Sequence, residues 1–171
     1  MGEDSGDKTE EPTPHKIREA RKKGQIAKKY LEVRLKMLEW SGKLNMPVIS
    51  GIIIGNDNTE SQTKATIDKI CEHQLKYKNI HTLSIQSEAL LTTGKPTKKS
   101  DNLMLKAIEY IKSTGVDITI STPPIHTLNI GNFIDIGIRD FGSIPINPEL
   151  LFPKIEPVNF KELEEIVEKK V

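Results

Sequence analysis

The stretch PVISGIIIGNDNTESQTKATIDKICEHQLKYKNIHTLSIQ, Pro47–Gln86, decides the fold. Its opening run is β-branched and nearly continuous between Pro47 and Gly55, the pattern of a buried strand, not of a half-solvated one. The segment from Thr59 to Lys78 changes period: Ala65, Ile67, Ile70, Cys71 and Leu75 recur at helical spacing. From Asn79 the chain returns to an extended, β-branched run. Strand, helix and strand in that order predict a β-α-β unit.

Further along, SEALLTT predicts a short helix, GKPTKKSD a basic loop, NLMLKAIEYIKSTG a helix closed by Gly115, and VDITIST another strand. IHTLNIGNFIDIGI alternates on both sides of Gly131-Asn132, which predicts a tight antiparallel hairpin. The Pro-rich IPINPELLFPKIEPV reads as irregular or extended, and NFKELEEIVEKK as a terminal helix capped by Asn159. No internal repeat is visible. The expected fold is α/β: a small mixed sheet with flanking helices over residues 44–171, preceded by a charged helical extension.

That extension is strongly segregated in charge. Over residues 1–14, Glu3, Asp4, Asp7, Glu10 and Glu11 stand against Lys8 alone, and no large apolar residue follows Met1, so a disordered acidic tail is expected. Over residues 15–36 the sign reverses, with Lys16, Arg18, Arg21, Lys22, Lys23, Lys28, Lys29, Arg34 and Lys36 against Glu19 and Glu32. Thr13 as a cap, Pro14 at the first helical position and Gly24 at the end predict a short helix from His15 to Lys23. A second helix follows, on which Ile26, Tyr30, Val33, Met37 and Trp40 form an apolar stripe. The stripe is expected to pack on the α/β domain, with Trp40 substantially buried.

Composition sets the outer limits. The 171 residues suffice for one domain and an extension, and a net charge of +1 excludes polyanion binding by bulk charge. A single cysteine, Cys71, excludes an internal disulfide and a multi-cysteine zinc site, and suggests a reducing, cytoplasmic setting. The longest apolar run, MPVISGIIIG, is about half of the ~20 residues a membrane-spanning helix needs. The acidic start lacks the pattern of a secretory signal.

The amino end carries a resemblance. Lys8, Thr9, Glu10, Pro12, Thr13, Lys16, Ala20, Arg21, Gly24, Gln25, Ile26 and Lys28 fit, without a gap, the cytoplasmic amino terminus of the flagellar and type III secretion export-gate switch family. The resemblance ends at Lys28. Members of that family continue into membrane helices and a domain that cleaves itself at Asn-Pro-Thr-His; STPPIHT and INPEL lack that order, so self-cleavage is not implied. What is implied is a noncatalytic interaction protein linked to protein secretion. Its partner would be a secretion component or an anionic membrane face, contacted through Lys16, Arg18, Arg21, Lys22, Lys23 and Lys28, and its location cytoplasmic or membrane-peripheral.

Chemistry elsewhere is sparse. GIIIGNDNTESQTK has a strand-turn-helix layout but lacks the Gly-Lys-Ser/Thr ending of a phosphate loop. Lys95, Lys98 and Lys99 form a solvated basic loop that could touch phosphate or nucleic acid. The expected hairpin would place His126, Asp135 and Arg139 on one polar face, with Ile125, Ile134, Ile136 and Ile138 on the other; a cross-strand ion pair is the plain reading and acid/base work the sharper one. His15, His73 and His81 show no metal-ligand spacing, and no cofactor, metal or catalytic residue is indicated. The alternative is a restriction-endonuclease-like nucleic-acid-binding domain, which Val48 to Leu91 faintly resembles. It would need an acidic pair and a lysine on adjoining strands, and the nearest candidate, Glu32-Val33-Arg34, has Arg in place of Lys and falls in the expected helix.

Overall fold

A computed structural model describes residues 25–55, 59–145 and 158–170. The chain divides into two compact units, Met1–Trp40 and Ser41–Val171. In the first, the described residues belong to helix α1, Gln25–Lys43, which runs on into the second unit. Val33, Met37 and Trp40 are exposed, Trp40 at 61%, so the expected burial of the tryptophan is not met. The stripe has helical period, but periodicity reports only that a face is apolar, not that it is covered. The acidic tail and the helix expected over His15 to Lys23 lie outside the described residues.

The second unit is built on a parallel sheet. Strand β1, Val48–Ile54, is followed by α2, Glu60–Tyr77, and β2, Ile80–Ser87. Next come α3, Glu88–Thr93, α4, Lys98–Ser113, and β3, Thr119–Ser121. A 3₁₀ turn, Pro124–His126, leads to α5, Ile130–Asp135, and α6, Phe160–Lys170, ends the described chain. The strands lie in sequence order β1-β2-β3, each parallel to its neighbour, and a further parallel bridge joins Ser121 to Asp140 beyond β3.

Local chemistry fixes the helix ends. Thr59 Oγ1 accepts from the Gln62 N–H at 3.2 Å while Gln62 Oε1 accepts from the Thr59 N–H at 2.9 Å, a complete capping box for α2. Thr97 and Ser100 make the same reciprocal pair at the start of α4. Lys78 closes α2 in the left-handed region at φ 53, and Gly115 stands just past α4 at φ 70, where a side chain would be strained.

Packing then shows which face of the sheet is inside. Paired residues in a parallel sheet point the same way, so Ile52, Ile54, Leu83, Ile85 and Ile120 share one face. All five are buried, and they cluster with Ile67, Ile70 and Cys71 of α2 and with Met104, Ala107, Ile108 and Ile111 of α4. Both crossover helices therefore cover the same face. Ala65 and Leu75, which the sequence placed on the buried stripe of α2, are exposed; Gln74 is buried instead, its Oε1 accepting from the Ile80 N–H at 2.9 Å and its Nε2 donating to Asp117 O at 3.0 Å.

The antiparallel hairpin does not form, so the described sheet is parallel where a mixed one was expected. Gly131 and Asn132 lie inside α5, and the positive φ that a two-residue hairpin turn needs is found at Gly137 (φ 87), after the helix. Asn129 caps α5 by accepting from the Gly131 N–H at 3.0 Å. Ile130, Phe133 and Ile134, at helical spacing, are buried by it.

Candidate functional site

In a parallel sheet all strands deliver their carboxyl ends to one edge, and polar groups placed there converge from different parts of the sequence. Four segments meet this description: Gly55 after β1, Ser87-Glu88 after β2, Thr122 to His126 after β3, and Asp140 at the bridge.

Ser87 ends β2 and starts α3. Its Oγ accepts from the Ala89 N–H at 3.1 Å, and its own N–H donates to Nδ1 of His126 at 3.0 Å. Accepting that bond requires Nδ1 to carry no proton, so the neutral ring holds its proton on Nε2. His126 is buried, and burial lowers its pKa from 6.5 to about 4. The result is a neutral N–H donor of fixed tautomer.

Four residues upstream of His126, Thr122 has an unusual status. It is fully buried, its N–H donates to Asp140 O at 3.1 Å, and its Oγ1 is the one buried side-chain polar atom among the described residues that lacks a hydrogen-bond partner. An unsatisfied buried hydroxyl costs about 1–3 kcal/mol, so it needs an explanation.

Asp101, in the first turn of α4, positions this loop. Its carboxylate accepts from the Leu128 N–H at 3.0 Å and the Asn129 N–H at 3.4 Å, which ties the segment just after His126 to α4. Burial raises its pKa against the opposing effect of those two bonds. On the β1 side, Gly55 is buried and the Glu88 side chain lies directly over its α-carbon, where a Cβ would collide with both the carboxylate and the Glu88 Cβ. Gly55→Ala is therefore expected to cost about 1–3 kcal/mol through overpacking, read as a shift in the urea midpoint. An unchanged midpoint would show that the approach is not close.

The residues singled out in the sequence fall in different places. His126 is inside the loop just described, Asp135 is exposed and pairs with Lys170 at 2.5 Å, and Arg139 donates to Ile134 O at 2.8 Å and Ile138 O at 2.9 Å. No hydrogen bond or ion pair joins any two of the three, because the hairpin that would have aligned them is a helix. Lys95, Lys98 and Lys99 are exposed around the start of α4. Lys16, Arg18, Arg21, Lys22 and Lys23 lie outside the described residues, as does the side chain of Lys28. Glu32 and Arg34 are exposed on α1, not on adjoining strands, so the geometry that a nuclease centre requires is missing there. Among the described residues no group of three or more His, Cys, Asp or Glu is placed to hold a metal ion, and no helix is long and apolar enough to cross a membrane.

An open cavity of about 320 Å³ is lined in part by Lys112, Thr119, Arg139 and Asp140, and neither Thr122 nor His126 lines it. Its lining brings together no buried polar group without a partner. The loop carrying Thr122 and His126 is thus the better candidate site.

The fold and this edge define a chain of consecutive βα units with polar groups, Glu88 and Asp140 among them, at the strand ends. Comparison with known proteins gives relatives of one description. The chain is 32% identical over 146 residues to the 7,8-didemethyl-8-hydroxy-5-deazariboflavin synthase of Methanocaldococcus jannaschii, covering 82% of this chain and 40% of the relative. It is 30% identical to the synthase of the same name from Methanococcus aeolicus, over 72% of this chain and 37% of the relative. For the Archaeoglobus fulgidus synthase the figures are 28%, 73% and 42%. The chain thus spans about two fifths of the length of these curated relatives. No family model and no solved structure matches it.

These relatives overturn the secretion reading. The export-gate pattern occupies a short run at the amino end, and its elements, a proline-started basic helix closed by glycine, suit any exposed helix. The similarity to the synthases extends over 72–82% of the chain. The expectations of a noncatalytic secretion-linked interaction protein and of a nuclease-like domain are both replaced, since the relatives are named as biosynthetic enzymes.

Proposed function

We propose that this chain supplies part of the catalytic domain of an enzyme that makes a 5-deazariboflavin, and that the Ser87–Thr122–His126 edge forms part of the wall against which the substrate or product lies. The similarity to deazariboflavin synthases supports the reaction class. The observation that carries the placement is that one strand-end loop holds both a neutral Nε2–H donor on His126 and, four residues earlier, an unsatisfied hydroxyl on Thr122. Such a pair suits an uncharged ligand rich in hydroxyl and carbonyl oxygens, which describes a hydroxylated riboflavin analogue. It suits an anion poorly, because burial keeps His126 neutral.

The test is a fluorescence titration of the full chain with 7,8-didemethyl-8-hydroxy-5-deazariboflavin. Saturable binding is expected, weakened about tenfold in Thr122→Val and in His126→Phe, the loss that one hydrogen bond of about 1.4 kcal/mol brings. Absence of saturable binding to the folded chain, or equal affinity in both variants, overturns the assignment.

A further inference from the structure

The face of the sheet turned away from α2 and α4 carries a different kind of residue. Ile52, Ile54 and Ile85 pack toward the helices and are buried, so the alternate positions Gly51, Ile53, Ser84 and Gln86 share the opposite face. They lie in two rows. Gly51 pairs in register with Ser84, and Ile53 with Gln86, the second row being nearer the carboxyl ends of the strands. None of the four is charged. Ile53 is 44% exposed and Gln86 half-buried beside it, and Gln86 immediately precedes Ser87, the residue tied to His126.

The amide of Gln86 is held in place but not used up. Its Nε2 donates to Ser84 Oγ at 3.3 Å, while its second N–H and its Oε1 have no hydrogen-bond partner among the described residues. Ser84, as the acceptor of that bond, keeps its own O–H free to donate. Gly51 lowers the floor beside it, since a Cβ there would stand 3.2 Å from Ser84 O and 3.7 Å from Ser84 Cβ. A donor and an acceptor side by side in one plane match a partner that offers the reverse pair, as when glutamine binds the edge of a nucleobase through two bonds. The pyrimidinedione ring of a 5-deazariboflavin offers that pair: its N3–H donates and the carbonyls on either side accept.

We propose that Gln86 reads the pyrimidinedione edge of the deazariboflavin and so sets which ring system the chain accepts. Oε1 accepts from the ring N3–H, the unspent Nε2–H donates to an adjacent ring carbonyl, and the exposed Ile53 beside Gln86 gives the flat ring an apolar neighbour. The bond to Ser84 fixes the plane of the amide before the ligand arrives, which lowers the ordering cost of binding. This inference rests on the deazariboflavin reading given above and extends it from the strand-end loop to the open face of the sheet.

The experiment titrates the full chain with two fluorescent ligands, 7,8-didemethyl-8-hydroxy-5-deazariboflavin and its N3-methyl derivative, which lacks the ring donor and sets a methyl group against Oε1. The unaltered chain should bind the methyl derivative at least about tenfold more weakly than the parent, the loss that one or two hydrogen bonds bring. Gln86→Met keeps the length and volume of the side chain without its polar atoms, so it should bind the parent about tenfold more weakly and distinguish the two ligands by less than about twofold. A purely structural role would weaken both ligands alike and leave their ratio unchanged. Equal affinity of the unaltered chain for the two ligands, or discrimination that survives in Gln86→Met, overturns the inference and leaves the proposed function standing. Should circular dichroism show Gln86→Met to be unfolded, the comparison of the two ligands on the unaltered chain decides by itself. Failure of the unaltered chain to bind either ligand overturns this inference together with the function on which it rests.

Discussion

Phe133→Ala is expected to destabilise the chain by about 3–5 kcal/mol, the usual cost of removing a fully buried aromatic ring. Phe133 has no exposed surface and belongs to the core cluster with Leu83, Ile85, Ile108 and Ile120. The same substitution decides between two readings of IHTLNIGNFIDIGI. In a hairpin turning at Gly131-Asn132, Phe133 would share the polar face with Asp135, and its loss would cost little. In α5 it is a core residue. Equilibrium urea denaturation measures the difference directly, and a change below about 1 kcal/mol would favour the hairpin.

The β-α-β unit was legible because its signals are local. A β-branched run, a capping threonine and a change of period all lie within windows of a few residues, and the structure places β1, α2 and β2 where those windows put them. The body of α4 and its closure at Gly115 were legible for the same reason, but its first turn, Lys98 to Asp101, was read as part of a basic loop although Thr97 and Ser100 cap a helix there. The stretch around Gly131 was not, because Ile130, Phe133 and Ile134 satisfy helical spacing while Ile134, Ile136 and Ile138 satisfy alternation. What settles it is long-range: Asp101, on another helix, holds the Leu128 and Asn129 amides, so Asn129 is placed to cap a helix. No local window contains that contact. The candidate site was hidden in the same way. Ser87 and Thr122 are ordinary strand-end residues in the sequence, and they stand out only when parallel pairing brings their strand ends to one edge and leaves one hydroxyl without a partner. His126 did attract notice, but with Asp135 and Arg139 as companions; its actual partner is the Ser87 backbone, 39 residues away.

That partner makes the protein sensitive to acid in a defined window. His126 has its pKa lowered from 6.5 to about 4 by burial, so its contribution to stability is complete above about pH 6.5 and disappears as pH falls through about 4. Across that window the loss is at most about 3.5 kcal/mol, because a tenfold change in proton affinity corresponds to about 1.4 kcal/mol. The structural event is specific. With Nε2 already protonated, a second proton must enter at Nδ1, where the Ser87 N–H points, so charging the ring turns an acceptor into a donor facing a donor. The 3₁₀ turn then loses its tie to the end of β2. Asp101 acts in the opposite sense: its raised pKa favours the folded state at low pH, and that contribution fades as pH rises through the folded value. Asp101→Asn removes this opposing dependence and should leave the His126 step in plain view. His126→Asn keeps an acceptor for Ser87 but cannot titrate, so its stability should be lower at pH 7 and nearly flat from 6.5 to 4 in the Asp101→Asn background. Urea midpoints across that range decide the matter, and a slope equally steep in the His126→Asn variant would show that the acid transition belongs to other groups.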